Sequence, residues 1–287
     1  MIVDLVRVTT RDGVRLDGAL NVPDGTTERR LSVDCCLFLH GTGGSFYSSS
    51  LFDAFTERLP QLGCSVLRVN TRGHDLMSTA VTPQGGRRLG AAYEVVDECR
   101  HDLAAWVNWL VEHGYSKIGL IGHSLGAVKA IYALAIEPSP SIVCLVALSP
   151  PRLSYSHFMA SNQAAEFADT FRSAEHHVEA GRSGALMEVR VPLAFVVTAG
   201  GYVEKYGPSE QYNILKHISS VALPTLVTFG SAELENNMAF HGLPELLGPV
   251  TAAHSRMRLE IVAGADHFYS AQRHELTNRV AQWLQTV

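Results

Sequence analysis

Lys117-Ile118-Gly119-Leu120-Ile121-Gly122-His123-Ser124-Leu125-Gly126-Ala127 is the stretch that decides the fold. Its first half is apolar enough for a strand buried on both faces. Residues 127–136, which follow, have the composition of a helix. Gly-x-Ser-x-Gly between a strand and a helix is a nucleophile elbow. So sharp a turn strains the backbone of its central residue, and side chains two positions to either side would collide. Ser124 Oγ is then held above the sheet at the head of a helix, whose dipole favours developing negative charge.

Strands of the same kind lie on both sides in sequence. Residues 33–40, 64–70, 142–148, 225–229 and 258–262 are apolar runs of strand length. Residues 2–10 and 14–22, joined at Asp12-Gly13, read as an edge hairpin. Val96, Cys99, Leu103, Val107 and Leu110 recur at helical spacing, as do Leu276, Val280, Leu284 and Val287. Strand–helix alternation after an antiparallel start predicts an α/β fold, a mostly parallel sheet with helices on both faces. The rhythm breaks between Pro151 and Pro224. There, residues 164–180 read as helical, and residues 191–199 fit a strand or a buried helix equally. This stretch is expected to be a helical cap insertion over the C-terminal edge of the sheet.

Composition excludes several classes. Of 287 residues, 46% are hydrophobic and 18% charged, and 23 basic against 28 acidic side chains leave a net charge of −5. A disordered chain would carry more charge, and a nucleic-acid binder a basic surplus. No apolar run approaches the ~18 residues that span a bilayer. The five cysteines, Cys35, Cys36, Cys64, Cys99 and Cys144, form no Cys-x-x-Cys pattern; they read as buried thiols, not as disulfides or zinc ligands. The first residues lack the features of a signal peptide. A cytoplasmic protein with a small-molecule substrate is expected, without nucleic-acid or membrane partners, and homo-oligomers stay open.

Two further motifs carry chemistry. His40-Gly41-Thr42-Gly43-Gly44 follows the strand at 33–40. Its glycines leave backbone N–H groups unobstructed, so Thr42 or Gly43, with Leu125, can form an oxyanion hole. A phosphate loop would need a Gly-Lys-Ser/Thr ending or Gly-x-Gly-x-x-Gly, and neither is present. His40 itself reads as a loop brace. Gly264-Ala265-Asp266-His267-Phe268 follows the strand at 258–262. His267 has the right chemistry for a general base near neutrality, with Asp266 a turn residue. His74 also follows a strand, but lies upstream of Ser124.

With Arg72-Gly73-His74, these motifs resemble the α/β-hydrolase superfamily along nearly the whole chain. The resemblance implies an eight-stranded, mostly parallel sheet, with residues 1–151 and 224–287 as core and residues 152–223 as cap. It also implies a triad in the order Ser, acid, His. The acid is expected after the strand at 225–229, in Gly230-Ser231-Ala232-Glu233-Leu234-Glu235-Asn236. No aspartate stands there. Glu233 matches the position, Glu235 is the alternative, and a solvated loop without a triad acid is the third reading.

The expected activity is ester hydrolysis through an acyl-enzyme by Ser124, His267 and Glu233, with no metal or cofactor. A C–C bond hydrolase, amidase or lactonase would share the triad. Haloalkane dehalogenases and epoxide hydrolases place Asp where Ser124 stands. A non-catalytic ligand-binding homologue is the reading from another class. Phe46, Tyr47, His123, Tyr202 and Tyr206 are the expected pocket residues, and they favour an apolar or aromatic substrate.

Overall fold

The computed structural model describes residues 3–287, so Ile2, at the start of the expected edge strand, lies outside the described residues. The strands are β1 (Asp4–Thr9), β2 (Arg15–Asn21), β3 (Cys35–Leu39), β4 (Ser65–Val69), β5 (Ser78–Thr82), β6 (Gly85–Leu89), β7 (Ile118–His123), β8 (Ile142–Leu148), β9 (Leu186–Val189), β10 (Phe195–Thr198), β11 (Thr225–Gly230) and β12 (Met257–Val262). The helices are α1 (Ser50–Arg58), α2 (Cys99–Glu112), α3 (Leu125–Ile136), α4 (Tyr155–Met159), α5 (Ala164–Glu179), α6 (Ala199–Tyr206), α7 (Ser231–Asn236), α8 (Leu243–Ala253) and α9 (Arg273–Leu284).

Eight strands form one sheet in the order β1-β2-β4-β3-β7-β8-β11-β12. Only β2 runs against its neighbours; the pairs from β4 onward are parallel. This is the sheet expected from the sequence, strand for strand. Its central strands are buried on both faces, which explains their continuous apolar runs. Alternate residues supply the two faces. Leu37 and Leu39 pack with Trp106 of α2 and Ile131 of α3, whereas Cys36 and Phe38 pack with Phe55 of α1 and Val280 of α9. All five cysteines are free and buried in these layers. Among the described residues, no helix is long and apolar enough to cross a membrane.

Residues 152–223 are more mixed than the expected helical segment. They hold α4, α5 and α6, but also the antiparallel pair β9–β10. The ambiguous run 191–199 is therefore a strand from Phe195 to Thr198, with the head of α6 at its end. A short apolar run takes its form from its partner, and Leu186–Val189 supplies one across the sheet. The ribbon β5–β6 has no strand signature in the sequence, because its strands are mostly polar and only partly buried.

One ionic cluster anchors the loop after β4. Arg72 is buried, donates twice from its guanidinium to the buried Asp102 of α2, and reaches Asp12 and Glu98. Arg72 N–H also donates to Asp102 Oδ2 at 2.8 Å. A planar fork held this way fixes the loop between Thr71 and Asp75 against the helix layer.

At the end of β7 the backbone turns into α3 with almost no clearance. A Cβ on Gly126 would come within 2.2 Å of Leu39 O, and one on Gly122 within 2.4 Å of Gly126 O. Both obstacles are backbone, so relaxation is costly. Gly126→Ala is expected to destabilise the fold by about 1–3 kcal/mol, as overpacking does; urea unfolding of the two proteins measures it.

Candidate active site

Ser124 sits at φ 56°, ψ −126°, between the last residue of β7 and the first of α3. This is a strained conformation for a residue with a side chain. It lifts Oγ out of the sheet, and Leu125 N–H, at the head of α3, is one of the groups without an intrahelical acceptor.

His267 reaches Ser124 from the turn after β12. Its Nε2 lies 3.0 Å from Ser124 Oγ, and its Nδ1 lies 2.8 Å from Glu233 Oε2. Asp266 Oδ1 accepts from the N–H groups of Phe268 and Ser270, the turn role expected of it. The His267 ring packs between Phe240 and Phe268, with centroids 5.3 Å and 5.1 Å away. His123 donates from Nε2 to His267 O at 2.8 Å. Burial, and then the neighbouring His267, push His123 down to about 3, so it stays neutral and its proton stays on that nitrogen.

Glu233 is the carboxylate brought to His267; Glu235 points to solvent. Glu233 stands in the first turn of α7, and its Oε1 curls back to accept Gly230 N–H at 2.7 Å. The same oxygen accepts the Ser149 hydroxyl. Behind it, Tyr269 Oη lies 2.8 Å from both Ser149 Oγ and Thr228 Oγ1. An ionised carboxylate only accepts, so the protons run one way: Thr228 to Tyr269, Tyr269 to Ser149, Ser149 to Glu233. Burial, with Glu233 nearby, pushes the Tyr269 phenol well up, which keeps it a donor. The Ser149 hydroxyl belongs to none of the sequence motifs, yet it is a donor to the Glu233 carboxylate. No local signal marked it, since Ser149 and Glu233 lie 84 residues apart.

A cavity of about 460 Å³ opens over Ser124. His40, Gly41, Thr42, Gly43, His123 and His267 line it at the reactive end. Leu51, Phe52, Leu193 and Phe268 give it an apolar side, with Ser48, Ser49, Ser50 and Asn237 as polar exceptions. Of the five expected pocket residues, only His123 lines it. Tyr202 and Tyr206 are buried in the aromatic cluster of residues 152–223, where Phe158, Phe167 and Phe171 surround them. Rings packed tilted and edge to face against one another are hidden from the cavity. Tyr202 spends its hydroxyl on Val191 O. Phe46 and Tyr47, which follow the glycine loop 40–44, lie in a separate hollow with Arg7, Asp17 and Asn70, and the Tyr47 hydroxyl donates to Asp75. Leu193 is the one residue of 152–223 in the described lining, so this segment borders the cavity there.

His74 has partners of the same kinds, Asp75 Oδ2 at 2.8 Å and Ser78 Oγ at 3.3 Å. Ser78 opens a strand and not a helix, so no helix N-terminus stands behind it. Among the described residues, no group of three or more His, Cys, Asp or Glu side chains is placed to hold a metal ion.

The sequence profile of the alpha/beta hydrolase family matches residues 36–280. No curated protein matches the chain in sequence. Solved structures match over its whole length. The ferulic acid complex of Est1E from Butyrivibrio proteoclasticus is 18% identical, with TM-score 0.66 and 98% of each chain covered. The esterase Pf2001 of Pyrococcus furiosus is 21% identical, with TM-score 0.66, covering 99% of this chain and 91% of its own. The alpha/beta hydrolase GrgF from Penicillium sp. sh18 is 15% identical, with TM-score 0.70, covering 100% and 99%. At these identities the likeness is one of fold.

Ser149→Ala removes a buried donor from the Glu233 carboxylate. It is expected to lower unfolding free energy by about 1.5–3 kcal/mol, the range for a hydrogen bond to a charged group. Glu235→Gln, at the surface, leaves stability unchanged. Chemical denaturation of both variants checks the contrast.

Proposed function

The chain belongs to the alpha/beta hydrolase family, and from that premise we propose that it is a serine hydrolase. It cleaves carboxylic esters of a small apolar or aromatic substrate through an acyl-enzyme. The observation that carries this reading is the continuous contact from Ser124 Oγ through both ring nitrogens of His267 to Glu233. His267 Nε2 takes the Ser124 proton as Oγ attacks the ester carbonyl. Glu233, at Nδ1, holds the ring orientation and stabilises the imidazolium that forms. The N–H groups of Thr42 and Leu125 receive the developing oxyanion. His267 then returns the proton to the leaving alcohol, and next activates the water that releases the acid.

The lining supports this substrate class. Leu51, Phe52, Leu193 and Phe268 offer apolar contact, and about 460 Å³ suits a small molecule. Among the similar folds, Est1E was solved with ferulic acid, an aromatic acid, and Pf2001 is an esterase. Both are in line with an ester; amides and C–C bonds, which the same three side chains could attack, are separated by the substrates tested below.

A fluorophosphonate probe followed by peptide mapping is expected to label Ser124 alone, leaving Ser78 unmarked. Ser124→Ala abolishes turnover of p-nitrophenyl esters with the fold intact by circular dichroism. Glu233→Gln lowers kcat by about 10³–10⁴-fold, as loss of the orienting acid does elsewhere. Turnover of amides or vinylogous diketones, with none of esters, overturns the ester assignment.

A further inference from the structure

Three ionisable side chains that this chemistry does not use lie buried together: Glu94, Lys129 and Lys205, each 1% exposed in its side chain. Lys129 stands on α3 beyond Ser124, Glu94 lies ahead of α2, and Lys205 is in the last turn of α6. Lys129 pairs with Glu94 and donates to Thr71 Oγ1 at 3.0 Å. Lys205 Nζ lies 3.9 Å from the other Glu94 oxygen and 5.4 Å from the Phe195 ring centre, and it makes no hydrogen bond among the described residues. A Cβ on Gly73 would meet Glu94 Oε1 at 2.0 Å, so the carboxylate is pressed against the loop after β4. Charges this deep carry a desolvation cost that apolar side chains of like size would avoid. Packing does not explain them.

Thr71 connects the cluster to the site. Its N–H donates to His40 Nε2 at 3.0 Å, and its hydroxyl lies 3.2 Å from the same nitrogen. A backbone N–H can only donate, so Nε2 accepts and the proton of the neutral ring is on Nδ1. Nδ1–H donates to Gly41 O at 2.8 Å. Burial and the Lys129 ammonium push His40 down to about 3, which keeps the ring in that neutral form. Gly41 C=O and Thr42 N–H belong to one planar trans peptide, in which the two bonds point opposite ways. Whatever holds the carbonyl therefore aims the N–H. The loop lies directly on the nucleophile, since a Cβ on Gly41 would be 2.9 Å from Ser124 Cβ.

We propose that Lys129, held by Glu94, is a positioning residue for the oxyanion loop: through Thr71 and His40 it sets the plane of the Gly41–Thr42 peptide and aims Thr42 N–H at the developing charge. This rests on the reading of Thr42 as an oxyanion donor. Lys205 brings α6 into the same cluster, so residues 152–223 reach the site through Glu94 as well as through Leu193.

Thr71→Val cuts the relay without changing any charge, and Lys129→Met/Glu94→Gln/Lys205→Met removes all three charges together so that none is left buried and unpaired. Each is compared with wild type by p-nitrophenyl ester kinetics and by imidazole and amide ¹⁵N–¹H NMR. In wild type, His40 is expected as the Nδ1–H tautomer. In both variants the His40 and Thr42 signals move, and kcat falls about 10–100-fold with KM unchanged, part of what losing an oxyanion donor costs. A folded variant with wild-type kcat and wild-type His40 and Thr42 signals overturns the proposal, as does a change in melting temperature alone. If the triple variant does not fold, Thr71→Val decides by the same criteria. If wild type cleaves no ester and the probe leaves Ser124 unlabelled, the catalytic reading fails, and the NMR comparison alone decides whether Lys129 orients the loop.

Discussion

The backbone at Ser124, held at φ 56° and ψ −126°, is the constraint to which the surrounding chain is fitted. Such a conformation costs on the order of 1–3 kcal/mol and survives only where its surroundings over-determine it. Here they do. Ser124 N–H donates to Leu148 O on β8, and Ser124 O accepts from Ala127 and Val128 in α3. Gly126 lies against Leu39 O and His40 O, so α3 can start only where β3 ends. That contact brings the loop after β3 to Ser124. The parallel order β3-β7-β8-β11-β12 then brings the loops after β11 and β12 to the same edge.

Beneath this edge the apolar layers give way to two directed polar networks. One runs from Thr228 through Tyr269 and Ser149 to Glu233; the other runs from Glu94 and Lys129 through Thr71 and His40 to Gly41. In the first, each hydroxyl is left one acceptor, and in the second the Thr71 N–H fixes the His40 tautomer, so these proton positions follow from the heavy atoms. Networks of this kind contribute less to net stability than an apolar core of equal volume would. What they provide is orientation: one fixes a carboxylate, the other a peptide plane.

The legible parts of the molecule were those written in neighbouring residues. Gly122, Ser124 and Gly126 are close in sequence, and their spacing is the spacing of the turn. Apolar runs of strand length marked β3, β4, β7, β8, β11 and β12, because a strand covered on both faces is apolar throughout, whereas β1 and β2 were marked by the turn at Asp12-Gly13 that joins them. Glu233 was reachable by its place after β11, but nothing local separated it from Glu235. The separation came from α7, which turns Glu233 inward to Gly230 and His267 and leaves Glu235 outside. The aromatic residues misled. Tyr202 and Tyr206 have the composition of a pocket wall, yet rings near one another in a small segment bury each other before they reach a distant cavity.

By itself the sequence determined the α/β architecture, the elbow, the glycine loop and the histidine after the last strand, since each depends on the conformational limits of a few adjacent residues. Only the tertiary structure decided which carboxylate meets His267, which side chains line the cavity, and why Ser149, Thr71, Glu94 and Lys129 matter. Those outcomes depend on distances across the fold between residues tens of positions apart, and a hydrogen bond that must be made within about 3 Å has no signature in local spacing.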